Sequence, residues 1–155
     1  MKGLTIHQPW ASLLVWKKKQ FETRDWQRMY RGLIAIHAGK EPLSPLEDYY
    51  DILWELRNDS IDFNEAYFNS TFGKIIAIAR LKNIHLMTRE LINKQSHLEQ
   101  VCGYWEPGRF AWEFTDIKPL PKPIPVRGLP GLWDVSDEIQ QQISQQLGMK
   151  GQQKN

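Results

Sequence analysis

The chain has one cysteine, Cys102, in 155 residues. That excludes an internal disulfide and a cysteine-built zinc site, and it fits a reducing compartment. Long apolar runs are missing too, so neither a leader of the secretory kind nor a membrane span is expected. The four histidines, His7, His37, His85 and His97, lack the paired spacings that ligate a metal. A glycine-rich phosphate loop, a nucleophile elbow and an internal repeat are also lacking. No metal and no cofactor is therefore expected, and the reading is a cytoplasmic protein of one domain.

What is present is tryptophan and an uneven distribution of charge. Seven Trp is many for this length, and such rings serve cores and nucleic-acid or small-ligand sites alike. The net charge of +2 conceals two blocks. Residues 1–40 carry eight Lys and Arg against two acids; residues 41–71 carry one Arg against eight acids. A basic N-terminal third suits a polyanion; equally, it could be a solvated mixed surface.

The densest stretch runs from Leu4 to Trp26. Gly3–His7 reads as a short strand, and Pro9 fits the first turn of a helix, where its missing N–H costs nothing. Trp10, Leu13 and Leu14 share one helical face. Lys17, Lys18 and Lys19 close that helix. Phe21–Trp26 alternates, with Glu22, Arg24 and Trp26 on one side. That combination is polar for a core strand and suits the lining of a groove.

Further on, Leu33–Ala38 is a near-continuous apolar run, the mark of a buried strand. A helix is expected over Pro45–Leu56, capped by Ser44, with Leu46, Tyr49, Tyr50, Leu53, Trp54 and Leu56 on its apolar side. Asn58–Thr71 reads as a surface loop. Phe72–Ile84 is the longest strand candidate, with Ile76 and Ile78 on one face and Ile75, Ala77, Ala79 and Leu81 on the other. Thr88–Val101 reads as a helix broken near Ser96, and Arg109–Phe114 as a strand. The prolines at 119, 121, 123 and 125 predict an extended connector rather than a central strand. Trp10, Trp54, Trp112 and Trp133 are assigned to the core. Ser136 can cap a last helix, and Gly148–Asn155 is expected to be disordered. The pattern predicts an α+β fold, a small mixed β-barrel surrounded by helices, over residues 1–135, followed by a helix and polar tail over 136–155.

The stretch His7-Gln8-Pro9-Trp10-Ala11-Ser12-Leu13-Leu14-Val15, with Lys19, Glu22 and Arg24, then Trp26 and Arg31-Gly32, resembles the ASCH family of the PUA-like superfamily, its transcription-coactivator branch in particular. The family signature is Gly-x-Lys-x-x-Glu-x-Arg; here Lys17 takes the glycine place. Pro125-Val126-Arg127-Gly128-Leu129-Pro130-Gly131-Leu132-Trp133 resembles the end of that branch. The resemblance implies a PUA-like barrel, a cleft lined by the signature residues, and RNA or DNA as the partner. Small family members that remove acetyl from N4-acetylcytidine carry Thr where this chain has Glu22.

Three readings follow. In the first, a module that binds RNA, or single-stranded or duplex DNA, in a basic cleft uses Lys17, Lys18, Lys19, Glu22, Arg24, Trp26, His7 and Gln8, with Arg31, Lys40, Arg109 and Arg127 at the rim. Arg24 suits bidentate contact to phosphate, and Trp26 suits stacking on a base. In the second, a hydrolase acts on a nucleoside or RNA, with Lys19 and Glu22 catalytic. The third is a sensor of a small ligand or modified base. The residues favour binding over catalysis; a monomer is expected, though no residue fixes the oligomeric state. No hydroxyl is marked as activated by its sequence neighbours: Thr5, Ser12 and Thr23 are merely available.

Overall fold

The computed structural model of the protein describes residues 1–149. Six strands, β1 (Lys2–Ile6), β2 (Phe21–Arg24), β3 (Gly32–Ala38), β4 (Lys74–Leu86), β5 (Phe110–Pro125) and β6 (Leu132–Asp134), form one sheet in the order β2-β5-β4-β3-β1-β6. β1 and β3 are parallel; every other pair is antiparallel. The sheet curls into a half-barrel surrounded by helices, as a PUA-like fold requires. Its curl comes from the long β4–β5 ribbon, whose pairing slips between Ile75 and Ala77, Ile78 and Arg80, and Leu81 and Asn83. Each slip bends and twists the ribbon.

The same slips redistribute the side chains of β4. Strict alternation would put Ile76 with Ile78. Instead Ile76, Ala77, Ala79 and Leu81 join the core that contains Leu4, Leu14, Ile34, Ile36 and Trp112. Ile75 and Ile78 join Ala35, Ile124, Trp133 and Ile143 in a second core. β3 feeds both, which is why its sequence is apolar without a break.

Helix α1 (Trp10–Val15) packs its Ala11, Leu14 and Val15 on the first core. Trp16 caps its end, and the next residue, Lys17, has a left-handed φ of 61°. A β-carbon in that conformation crowds the following carbonyl, so glycine is the preferred occupant. This is the physical meaning of the signature glycine that Lys17 replaces.

Other expectations meet corrections. Leu46–Tyr49 is a 3-10 turn and only Tyr50–Glu55 is α-helical (α2). Trp54, assigned to the core, is 54% exposed and stacked by Arg57 at 4.1 Å. Within the expected loop lies α3 (Glu65–Thr71), capped by Asn64 and anchored by the fully buried Phe68. The break near Ser96 is real: α4 (Arg89–Asn93) and α5 (His97–Val101) flank it, and Ser96 caps the second.

The proline-rich connector is strand, the second half of β5. β2 pairs only with Phe110–Glu113, so beyond that point β5 has β4 on one side and no strand on the other. There the backbone of Lys122 exchanges hydrogen bonds with the Gln146 side chain of α6 (Asp137–Leu147). Prolines are tolerated because that edge needs no full ladder. α6 itself buries Ile143 in the second core and ends at left-handed Gly148. The tail expectation lies, from residue 150 on, outside the described residues.

Lys17→Gly should stabilise the protein by about 0.5–1 kcal/mol, the relief of left-handed strain less the entropy of the unfolded glycine. Urea unfolding checks this, with a raised midpoint at unchanged slope.

Candidate functional site

The signature residues are built into the molecule in an unequal way. Lys19 and Glu22 lie inside, with side chains 2% and 10% exposed; Arg24 reaches outward at 24%. The Lys19 ammonium donates to the Cys102 carbonyl at 3.0 Å and lies 3.4 Å from Glu22 Oε1. Arg24 donates through Nε and Nη2 to Glu22 Oε2, at 3.1 and 2.8 Å. Its Nη2 also holds the Thr5 carbonyl oxygen at 2.8 Å. One carboxylate thus sits between two cations, and the three groups tie β2 to the end of α5 and to β1.

Burial alone pushes the Glu22 carboxyl up. The charges of Lys19 and Arg24 and their hydrogen bonds outweigh it, and hold the group below its ordinary 4.5. Nearby, burial raises Glu99 despite its hydrogen bonds from the backbone of Gln20 and Phe21 and the charge of Lys19. Burial likewise drives the Cys102 thiol to about 12, so it is no thiolate nucleophile at neutral pH.

Beside this triplet opens a cleft of about 480 Å³. Its lining joins Thr5 and His7 from β1 and the turn after it, Arg24 from β2, His37 from β3, Gly39, Lys40, and the loop Arg127–Gly131. Of the sequence-predicted residues, Arg24, His7, Lys40 and Arg127 meet here. Arg127 and Lys40 are exposed, and His7 pairs with Glu41 at 3.0 Å. Two glycines allow the walls to approach. A β-carbon on Gly128 would lie 2.5 Å from Thr5 Oγ1, and one on Gly39 would lie 2.7 Å from His7 Nδ1.

The other predicted residues lie elsewhere. Gln8 is buried, accepting from the Ser12 N–H and donating to the Ser12 and Thr71 hydroxyls, so it holds α1 to α3. Lys17 is exposed, and Lys17 and Lys19 border a different hollow with Gln20 and Phe114–Lys118. Lys18 pairs with Asp59 at 3.1 Å. Trp26 stands edge-on to Trp112, with the Arg28 guanidinium 4.4 Å over its ring. Arg31 donates to the carbonyls of Arg28 and Tyr30. Arg109 lies over Tyr104.

Two cleft residues were missed by sequence reasoning. Thr5 and His37 are register partners in the parallel pair β1–β3, 32 positions apart. His37 Nε2 lies 2.8 Å from the Val126 carbonyl oxygen, which can only accept, so that nitrogen carries the proton. Burial keeps the ring below its ordinary pKa of 6.5; the carbonyls of Val126 and Gly73 oppose this, and the charge of Lys40 adds to it. In the neutral ring Nδ1 accepts from the Thr5 hydroxyl at 3.0 Å. The only sequence signal was a polar side chain amid the apolar residues of each strand, Thr5 between Leu4 and Ile6 and His37 between Ile36 and Ala38.

Glu22→Gln leaves the Lys19 ammonium buried without a counter-charge and should cost about 3–5 kcal/mol. Lys19→Met in the same chain should recover a large part of that loss. Because the folded pKa of Glu22 lies below 4.5, its contribution is full above that pH and is lost as pH falls through the lowered value. Denaturant midpoints measured from pH 7 down to pH 3 should therefore fall less steeply in Glu22→Gln than in the wild type.

An ASCH domain profile matches residues 4–123. The chain is 28% identical over 145 residues to activating signal cointegrator 1 of Mus musculus, and 27% identical to that of Homo sapiens. Each alignment covers 89% of this chain and 23% of the relative, so the chain spans under a quarter of the length of those proteins. A profile match over most of the chain, on a fold of the expected architecture, settles the family: this protein belongs to the ASCH domain family.

Proposed function

We propose that this domain binds single-stranded nucleic acid, RNA or DNA, in the cleft between β1, the end of β3 and the loop 127–131. One observation carries the proposal: Arg24, Lys40 and Arg127 converge on a single hollow whose lining includes no carboxylate. A volume of about 480 Å³ falls within the range of small-ligand pockets. It therefore accommodates one nucleotide unit, with the adjoining backbone lying outside. Arg28, close to Gly131 at the cleft lip, and its stacked partner Trp26 give that backbone a path. Base contact there falls on the Arg28 guanidinium, since that group already covers the indole face.

Lys19 and Glu22 serve this reading by position rather than contact. They fix Arg24, whose guanidinium faces the cleft. The geometry does not favour the alternative in which Lys19 is a general base, because its ammonium is buried and engaged by a carboxylate and a carbonyl.

Three phosphate-neutralising cations give a slope of about −2 in log affinity against log salt on a single strand. Fluorescence anisotropy with a short labelled RNA and its DNA counterpart should show affinity falling about 20-fold between 50 and 200 mM salt. Lys40→Ala and Arg127→Ala should each flatten the slope by about 0.7. Binding indifferent to salt, or unchanged in both variants, contradicts the proposal.

A further inference from the structure

We propose that Thr5 and His37 are a nucleophile and general base, and that the cleft hydrolyses carboxylic esters or amides borne on anionic molecules. The inference uses the cleft already described but does not require that nucleic acid be its occupant.

Three features support it. The first is the relay. A hydroxyl donates to Nδ1 of an imidazole at 3.0 Å, and Nε2 of the same ring is held by a carbonyl oxygen at 2.8 Å. An activated nucleophile needs this arrangement: a base in hydrogen-bond reach, itself oriented by a third group. Here a backbone carbonyl takes the orienting place that a carboxylate fills elsewhere. It fixes the tautomer that leaves Nδ1 free to accept a proton.

The second is placement. Thr5 is half-buried and both side chains line the cleft wall, so the hydroxyl meets whatever enters. Gly128 has no side chain where one would strike Thr5 Oγ1 and His37 Cε1, at 2.5 and 2.7 Å. A larger residue there would displace the hydroxyl or the ring. The third is charge. Arg24 donates to Thr5's own carbonyl oxygen at 2.8 Å and lines the same cleft, so it brings positive charge to the hollow in which the substrate's carbonyl oxygen would become an oxyanion. Lys40 and Arg127 select a substrate with an anionic group away from the reacting carbon.

The reaction balances with water as the only co-reactant. Thr5 Oγ attacks the acyl carbon and its proton passes to His37 Nδ1, while the carbonyl π pair moves onto oxygen. Collapse breaks the bond to the leaving alcohol or amine, which takes the proton from Nδ1. Water then gives a proton to Nδ1 and attacks the acyl-threonine ester. Oγ departs and recovers the proton. The imidazolium is transient, held by the Val126 carbonyl, and the resting ring is neutral, as its burial favours.

The test uses the full chain with 4-nitrophenyl acetate and the anionic 4-nitrophenyl hydrogen succinate, followed by release of nitrophenolate and by peptide mass mapping. The succinate ester should turn over faster than the acetate, and a quenched reaction should show a succinyl group on Thr5. Thr5→Val should lose turnover by about 10²-fold or more, and Thr5→Ser should retain it. His37→Gln should lose turnover likewise; thermal melts establish that each variant is folded, and Thr5→Val decides if His37→Gln is not. Wild-type turnover at the buffer rate on both esters overturns the proposal. So does a folded Thr5→Val that matches the wild type, or acylation confined to lysines. Anisotropy with RNA on Thr5→Val separates the two readings: binding kept while turnover is lost leaves both standing, and turnover without binding removes only the nucleic-acid reading.

Discussion

A single carboxylate between two cations organises this domain. Glu22 takes charge from Lys19 on one oxygen and from Arg24 on the other. Each of the three groups would be costly to bury alone. Together they are mutually satisfied, and the spare donors reach outward to backbone carbonyls: Lys19 to Cys102 at the end of α5, Arg24 to Thr5 in β1. A four-residue edge strand is thereby fastened to two elements remote in sequence. The triplet also sets a direction. Arg24 has Glu22 and Thr5 behind it, and its guanidinium borders the cleft.

The cleft itself is a product of long-range assembly. Its walls come from β1, β2, β3 and the loop 127–131, which begins 89 positions beyond the end of β3, joined where the parallel β1–β3 pair ends. Parallel pairing puts Thr5 and His37 side by side. The return of β5 then brings Val126 to His37, because the Val126 N–H bonds to the Gly73 carbonyl at the start of β4. One residue thus serves both ends: Val126 closes the loop onto the start of β4 through its N–H and orients the imidazole through its carbonyl oxygen.

Much of this was legible in the residues. The Leu4–Val15 strand and helix, the alternation of Glu22 and Arg24, the buried β3 and the break at Ser96 all follow from local pattern. What was not legible depended on partners far away in sequence. The prolines of β5 read as a connector because nothing local reveals that one sheet edge is served by Gln146 of α6. The faces of β4 were misread because slips in register are properties of a strand pair, not of a strand. Gln8 looked like a cleft residue, yet Thr71 and Ser12 turn it inward. Thr5 and His37 were not read as a pair because 32 positions separate the hydroxyl from the ring it bonds.

The account stands or falls on which hollow receives the guest. Amide chemical shifts followed during titration of the full chain with a short single-stranded RNA measure this directly. Shifts centred on Thr5, His37–Lys40 and Arg127–Gly131, with Lys17–Gln20 and Thr115–Lys118 unmoved, are the result the account predicts. Shifts centred instead on Lys17–Gln20 and Thr115–Lys118 would place the partner at the other hollow and contradict it.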